Sequence, residues 1–80
     1  MDYRDVIYLD NCDLYELSPG DLFVEDCYPD VYRVSKVKQV EGIPLVFADN
    51  LTRNVSTAFS YTEPAYAPKV IRVKQKERGQ

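Results

Sequence analysis

The chain has 80 residues, a formal net charge of −3, and 45% hydrophobic and 29% charged side chains. This composition predicts one small domain over residues 1–80. No apolar run approaches the roughly 18 residues of a membrane span, so a membrane-spanning helix is not expected. The acidic N-terminus is unlike a secretory signal. A cytoplasmic location is therefore expected, and the two cysteines are expected to be free thiols.

The charge is unevenly distributed along the chain. Residues 1–30 hold nine acidic side chains and Arg4 as their one base, whereas residues 31–80 hold nine basic and four acidic side chains. One interpretation is that the two halves pack together and neutralise each other. The other is that an acidic face addresses a basic partner, or a basic face addresses an acidic one.

The first predicted elements are a strand and a turn. Residues 1–13 form an acidic N-terminal segment, in which residues 5–9 favour a strand over a helical turn because valine, isoleucine and tyrosine are strand formers. The following SPGD sequence predicts a turn, since Pro19 presets φ and Gly20 accepts a positive φ. Asp21 is expected to bond the backbone N–H groups of that turn.

A hairpin is predicted next. Residues 22–25 are expected to form a short strand and residues 31–40 the longest strand, with a bulge near Ser35 and Lys36, because the inward parity changes between Val34 and Val37. Residues 41–44 are expected to form a tight connection, with glycine at position 42 free to take a positive φ. Residues 45–49 are then expected to pair back as the second arm.

Two further strands are predicted in the last third of the chain. After a turn at residues 52–54, residues 55–61 alternate as in a half-buried antiparallel strand. Its predicted inward face consists of Val55, Thr57, Phe59 and Tyr61. Residues 62–68 contain two prolines and are expected to be a connection. Residues 69–74 are expected to close the fold, and residues 75–80 to fray as a polar tail.

Five or six short antiparallel strands of this size are expected to curl into a barrel. The motifs SPGDLF, VYRVSKV, ADNL and VIRV, within residues 14–74, resemble the SH3-like small β-barrel pattern, in which a GD turn leads into the first strand and a valine-rich hairpin follows. The resemblance implies an all-β antiparallel barrel, to which the acidic segment is an addition. Barrels of this kind are frequent among small regulatory and phage-encoded proteins. The resemblance concerns the fold and leaves the function open.

Catalytic and metal-binding groups are sparse in the sequence. The chain has no histidine, which removes the commonest general base and zinc ligand. Cys12 and Cys27 lack CxxC spacing, and no base marks either of them as a nucleophile. Residues 10–13, DNCD, do not match the spacing of a calcium loop. A protein that is not an enzyme is therefore expected, with no catalytic residue, metal or cofactor.

Tyrosine is the most suggestive residue type. Seven tyrosines exceed what so small a core can hide, and exposed tyrosine is enriched at binding hot spots. The favoured hypothesis is a module that docks on a larger protein and regulates or inhibits it. The predicted contact residues are Tyr28 and Tyr66, which lie in proline-bearing connections, with Tyr15, Asp26 and Asp30.

The alternative hypothesis is a nucleic-acid-binding barrel with a basic, tyrosine-bearing face. Its predicted contact residues are Arg33, Lys36, Lys38, Arg53, Arg72, Tyr32 and Tyr61. The net negative charge argues against this function unless the acidic segment lies on the far side of the fold. Edge strands can also pair with a second copy of the chain, which leaves a homodimer open.

Overall fold

The computed structural model describes residues 1–25, 28–60 and 69–77. It contains six strands: β1 (Val6–Asp13), β2 (Leu22–Glu25), β3 (Tyr28–Val40), β4 (Ile43–Asn50), β5 (Val55–Ser60) and β6 (Lys69–Gln75). One short 3₁₀ helix, Tyr3–Asp5, precedes β1, and a second, Leu14–Glu16, follows it. The predicted all-β, antiparallel class is confirmed. Among the described residues, no helix has the length and apolar character needed to cross a membrane.

The six strands form one antiparallel sheet in the order β1-β6-β2-β3-β4-β5. Strands β1 and β5 are its edges, and within the described ranges they do not pair with each other, so the sheet is open there. Strand β1 pairs with β6 from Val6 to Asp13. The larger part of the acidic N-terminal segment is therefore a strand of the sheet.

The turn before β2 has the predicted chemistry. The Asp21 backbone N–H donates to the Ser18 carbonyl at 3.0 Å, and Asp21 Oδ2 accepts from the Ser18 N–H at 2.8 Å. Gly20 has a φ of 96°, a conformation that glycine adopts without steric cost. Its N–H donates to the Val34 carbonyl at 2.8 Å, which ties the turn to β3. The predicted role of Asp21 as a turn residue is confirmed.

The β3–β4 hairpin confirms the predicted bulge and corrects the predicted connection. The pairing register shifts between Val34 and Lys36. Glu41 and Gly42 have φ values of 55° and 79°, as in the two-residue turns that suit the twist of a hairpin. The connection is thus shorter than residues 41–44, because β4 already begins at Ile43.

The main core lies on the concave face of the sheet. Its buried members are Cys12, Leu14, Leu17, Phe23, Val34, Val46, Ala48 and Val70. The rings of Phe23 on β2 and Phe59 on β5 have centroids 6.0 Å apart, although two strands lie between them. In a flat sheet these strands would be about 14 Å apart, with their side chains perpendicular to the sheet. The sheet therefore curls around this core.

A second, smaller cluster covers part of the opposite face. Its buried members are Val6, Val24, Val31 and Val73, with Leu22, Leu51 and Ile71 packed beside them. The N-terminus closes this side, since the Met1 ammonium group lies 3.3 Å from the Leu51 carbonyl oxygen. The Lys76 N–H also donates to the Asp5 carbonyl at 2.8 Å. Strand β2 is thus covered on both faces, with Phe23 in the main core and Val24 in the second cluster.

Candidate functional site

Of the five predicted partner contacts, the structure describes the side chains of two. Tyr66 and Asp26 lie outside the described residues, as does the side chain of Tyr28, whose backbone belongs to β3. Tyr15 lies in the short helix Leu14–Glu16, half-buried against the main core. Part of its ring therefore packs against the core, and only the rest of the ring is accessible to a partner.

Asp30, the other described contact residue, is buried in a polar network. Asn50 Nδ2 donates to Asp30 Oδ2 at 3.0 Å, and Arg53 Nε lies 2.9 Å from the same oxygen. Asn50 Oδ1 accepts from the backbone N–H groups of Thr52 and Arg53 at 3.0 and 2.9 Å. The network fastens the β4–β5 turn to β3. Since buried charges need such partners, the Asp30 carboxylate has a structural role here.

The predicted nucleic-acid contact Tyr32 is half-buried and packs against the main core. Its ring stacks on Phe23 with centroids 5.1 Å apart and meets Phe59 edge-on at 5.6 Å. Burial, together with the nearby Glu25 carboxylate, raises the pKa of the Tyr32 hydroxyl. The stack with Phe23 covers one face of this ring and makes that face unavailable to a nucleobase. Tyr61 lies outside the described residues.

Three bases of the second half of the chain are paired with acids of the first half. Arg72 donates from Nε and Nη2 to the two carboxylate oxygens of Asp10 at 2.9 and 3.0 Å, which lowers the pKa of Asp10 below its ordinary value. Lys69 Nζ lies 3.8 Å from Asp13 Oδ2. Arg53 belongs to the Asp30 network described above. The interpretation that the halves pack together and neutralise each other is confirmed for these residues.

The remaining predicted bases, Arg33, Lys36 and Lys38, lie together on the outer face of the sheet. Within the described part of the chain, they form no ion pair. In the strand register, nine residues of this face form three rows, and each row has one residue from β3, one from β4 and one from β5. We call these nine residues the Phe47 face: Arg33, Asp49 and Ser56; Lys36, Phe47 and Ala58; Lys38, Leu45 and Ser60. Strand β3 thus supplies a column of cations, β4 a largely apolar column, and β5 a column of small side chains.

The centre of the Phe47 face is accessible. The Phe47 ring is half-buried, and Lys38 Nζ lies 5.5 Å from its centroid, within the range of a cation–π contact. Asp49, the one acid of this face, accepts a hydrogen bond from Ser56 Oγ at 2.9 Å. A surface cavity of about 310 Å³ lies beside the ring and is bordered by Lys36, Asp49 and Ser56. The face therefore combines positive charge with an aromatic surface.

Another candidate surface lies on the edge strand β1. Ile7, Tyr8 and Leu9 are 42%, 59% and 52% exposed, and we call them the β1 edge patch. The register of β1 against β6 shifts between Tyr8 and Asp10, so Leu9 occupies a bulge. The sequence reasoning did not single out this patch. The signal in the sequence was the unbroken apolar run from Val6 to Leu9. Because successive side chains of a strand point to opposite faces, one buried face cannot cover all of this run.

A cavity of about 450 Å³ opens between β1, β6 and the helix Leu14–Glu16. Asn11, Asp13 and Lys69 border it, and Cys12 forms part of its wall. Cys12 is a buried free thiol whose pKa is raised by that burial. Because the thiolate is the reactive form, burial makes this sulfur a poor nucleophile. Within the described ranges, no cluster of three or more potential ligand side chains could hold a metal ion.

The raised pKa of Cys12 predicts slow alkylation of the folded protein. In a Cys27→Ser variant, which leaves Cys12 as the one thiol, iodoacetamide at about pH 8 should react at least about tenfold more slowly with the native chain than with the urea-unfolded chain. The native rate should increase as the pH rises towards the raised pKa, because the thiolate fraction increases. Equal rates for the native and unfolded chains would contradict the burial of this thiol.

Comparison of the chain with protein-family models, curated proteins and solved structures found no match.

Proposed function

We propose that this chain is a non-enzymatic protein-binding module that docks on a larger protein through the β1 edge patch and regulates it. The observation that carries the proposal is the exposure of Ile7, Tyr8 and Leu9 on an edge strand. Successive strand residues point to opposite faces, so Ile7 and Tyr8 present apolar surface on the two sides of this edge, and exposed apolar surface is a common mark of an interaction site. Tyrosine at the centre of such a surface is a typical hot-spot residue.

The position of the patch at the sheet edge supports the same function. Strand β1 pairs with β6 on one side, and no described strand pairs with its other side. An unpaired edge offers backbone N–H and C=O groups to a partner. The bulge at Leu9 interrupts the regular spacing of these groups, so side-chain contacts with the patch would supply much of the recognition.

The charge around the patch indicates the chemistry of the partner. Residues 1–16 contain five carboxylates and Arg4 as their one base. Two of these carboxylates, Asp10 and Asp13, are paired with bases of β6. The Asp5 side chain accepts a hydrogen bond from the Asp2 N–H at 2.9 Å and is exposed, as is Glu16. Lys74 of β6 lies opposite Ile7 in the register and is exposed, so this edge carries both signs of charge, and a partner surface of mixed charge complements it.

The small SH3-like barrel remains part of this proposal. The contact between Phe23 and Phe59 across two intervening strands supports a sheet that curls as a partly open barrel does. Such a body has little room for a deep catalytic cleft, whereas its edges and outer faces can bind a partner.

The proposal predicts that the edge patch is required for capture of a partner. A Tyr8→Ser/Leu9→Ser variant should lose a stoichiometric protein that the wild-type chain retains in a pull-down from nuclease-treated lysate of its host. Titration with the isolated partner should show a loss of affinity of at least about fivefold, as for a hot spot worth about 1 kcal/mol or more.

The matched control is Val40→Ser/Val55→Ser, which removes two valines that are 48% and 55% exposed and lie away from β1. This control should retain the partner, and both variants should melt near the wild-type temperature. Retention of the same protein by the edge variant would refute the proposed docking surface. Capture that disappears after nuclease treatment in all three proteins would refute the protein-binding function.

A further inference from the structure

We infer that the Phe47 face binds single-stranded nucleic acid, with Phe47 stacking on a base while Arg33, Lys36 and Lys38 contact phosphates. This site is independent of the β1 edge patch. It differs from the face predicted from the sequence, because Tyr32 stacks on Phe23 and the bases Arg53 and Arg72 are paired with carboxylates.

Charge complementarity identifies the ligand as an anion. Arg33, Lys36 and Lys38 are exposed and have no ion pair within the described part of the chain. Asp49 opposes Arg33 in the register and accepts a hydrogen bond from Ser56 Oγ, so the face, with three cations and one carboxylate, keeps a formal net charge of +2. The carboxylates of β1 lie at the other edge of the sheet, four strands away from β4. In the strand order, the acidic strand β1 and the cationic column of β3 are therefore not adjacent.

The aromatic ring favours a nucleic acid over an acidic polypeptide. Phe47 is half-buried at the centre of the face, and Lys38 Nζ already lies 5.5 Å from its centroid. Lys38 Nζ lies over this ring, so a base that stacks on the same face would displace the ammonium group, which can then turn to a phosphate. Across the register lies Ala58, whose methyl group leaves the ring uncovered on the β5 side. Stacking of this kind does not depend on base identity, so little sequence preference is expected.

The geometry favours a single strand over a duplex. Lys36 and Lys38 share one side of β3 and are about 6.6–7 Å apart along the strand, so they form an extended row of cations beside Phe47. The described part of the face contains no helix that could enter a major groove. The flat faces of bases are accessible for stacking in single strands, whereas a duplex covers them.

The test is fluorescence anisotropy with a labelled oligothymidylate of about 12 nucleotides, titrated with the full chain between about 50 and 200 mM salt. Three phosphate contacts on a single strand predict that log K falls with log [salt] with a slope of about −2. The Lys36→Ala/Lys38→Ala variant should lower the slope to about −0.7 and weaken binding at least about tenfold at the lower salt concentration. Phe47→Leu should weaken binding about fivefold or more with little change in slope.

Two control variants test whether a loss of binding comes from this site or from a general loss of positive charge or of the fold. Lys74→Ala/Lys76→Ala removes the same charge from exposed lysines outside the face and should stay within about twofold of wild type. Phe47→Tyr keeps a stacking ring and should restore binding. Several results would each overturn the inference: no binding at the lower salt concentration, equal losses in the two lysine variants, or displacement of the oligonucleotide by duplex DNA or polyglutamate as effectively as by unlabelled oligothymidylate.

Discussion

Replacing Phe23 by alanine is expected to lower the free energy of unfolding by about 3–5 kcal/mol. The ring is completely buried and stacks on Tyr32 with an interplanar angle of 11°. It also meets Phe59 of β5, so it joins two parts of the curled sheet that share no hydrogen bonds. Its removal leaves a cavity where both contacts converge, and each aromatic pair contributes beyond the area that it buries.

This loss can be measured by urea denaturation followed by far-ultraviolet circular dichroism. A chain of this length is expected to have a total free energy of unfolding of about 4–12 kcal/mol, so the Phe23→Ala variant would keep only a small part of it. Phe23→Leu should cost about 1–2 kcal/mol and keep the transition measurable. The control is Phe59→Ala, where the ring is half-buried and a smaller loss is expected. A larger loss for Phe59→Ala than for Phe23→Ala would contradict the assigned centre of the core.

Replacing Asn50 by alanine is expected to lower the free energy of unfolding by about 2–4 kcal/mol. Asn50 is buried and makes three hydrogen bonds, one donated to Asp30 and two accepted from the backbone of the following turn. Without its amide, the buried Asp30 carboxylate keeps only the Arg53 contact of this network. The turn residues also lose the acceptor that holds them against β4.

The matched control for this prediction is Ser56→Ala. Ser56 likewise bonds an aspartate across the β4–β5 pair, but this bond is exposed to solvent. Its loss should cost less than about 0.5 kcal/mol in the same denaturation experiment. Similar small losses for both variants would show that the Asp30–Asn50 network does not anchor the turn.

The two proposed binding surfaces lie at different parts of one sheet. The β1 edge patch belongs to an edge strand, and the Phe47 face lies on the three strands at the other side of the sheet order. A chain with both activities could hold a protein and a nucleic acid at once. The edge variant and the Lys36/Lys38 variant would then impair one binding activity each.

Much of the local structure was predictable because it depends on short-range chemistry. The SPGD turn follows from the fixed φ of Pro19 and the freedom of Gly20, and the structure places Asp21 on its backbone as predicted. The bulge before Lys36 follows from a change of parity in the apolar residues. Strand positions follow from runs of β-branched and aromatic side chains between turn residues.

The amino-acid sequence by itself determined the all-β class, the turns and the separation of charge between the two halves of the chain. Only the tertiary structure decided which of these residues are available for binding. Arg72 and Lys36 are indistinguishable as isolated bases, but Arg72 meets Asp10 across 62 positions of the chain, whereas Lys36 faces solvent beside Phe47. Tyr32 is similarly packed against the main core by its contact with Phe59 on β5. The physical reason is that ion pairing, burial and edge position arise from strand pairing between distant segments, which local patterns do not encode.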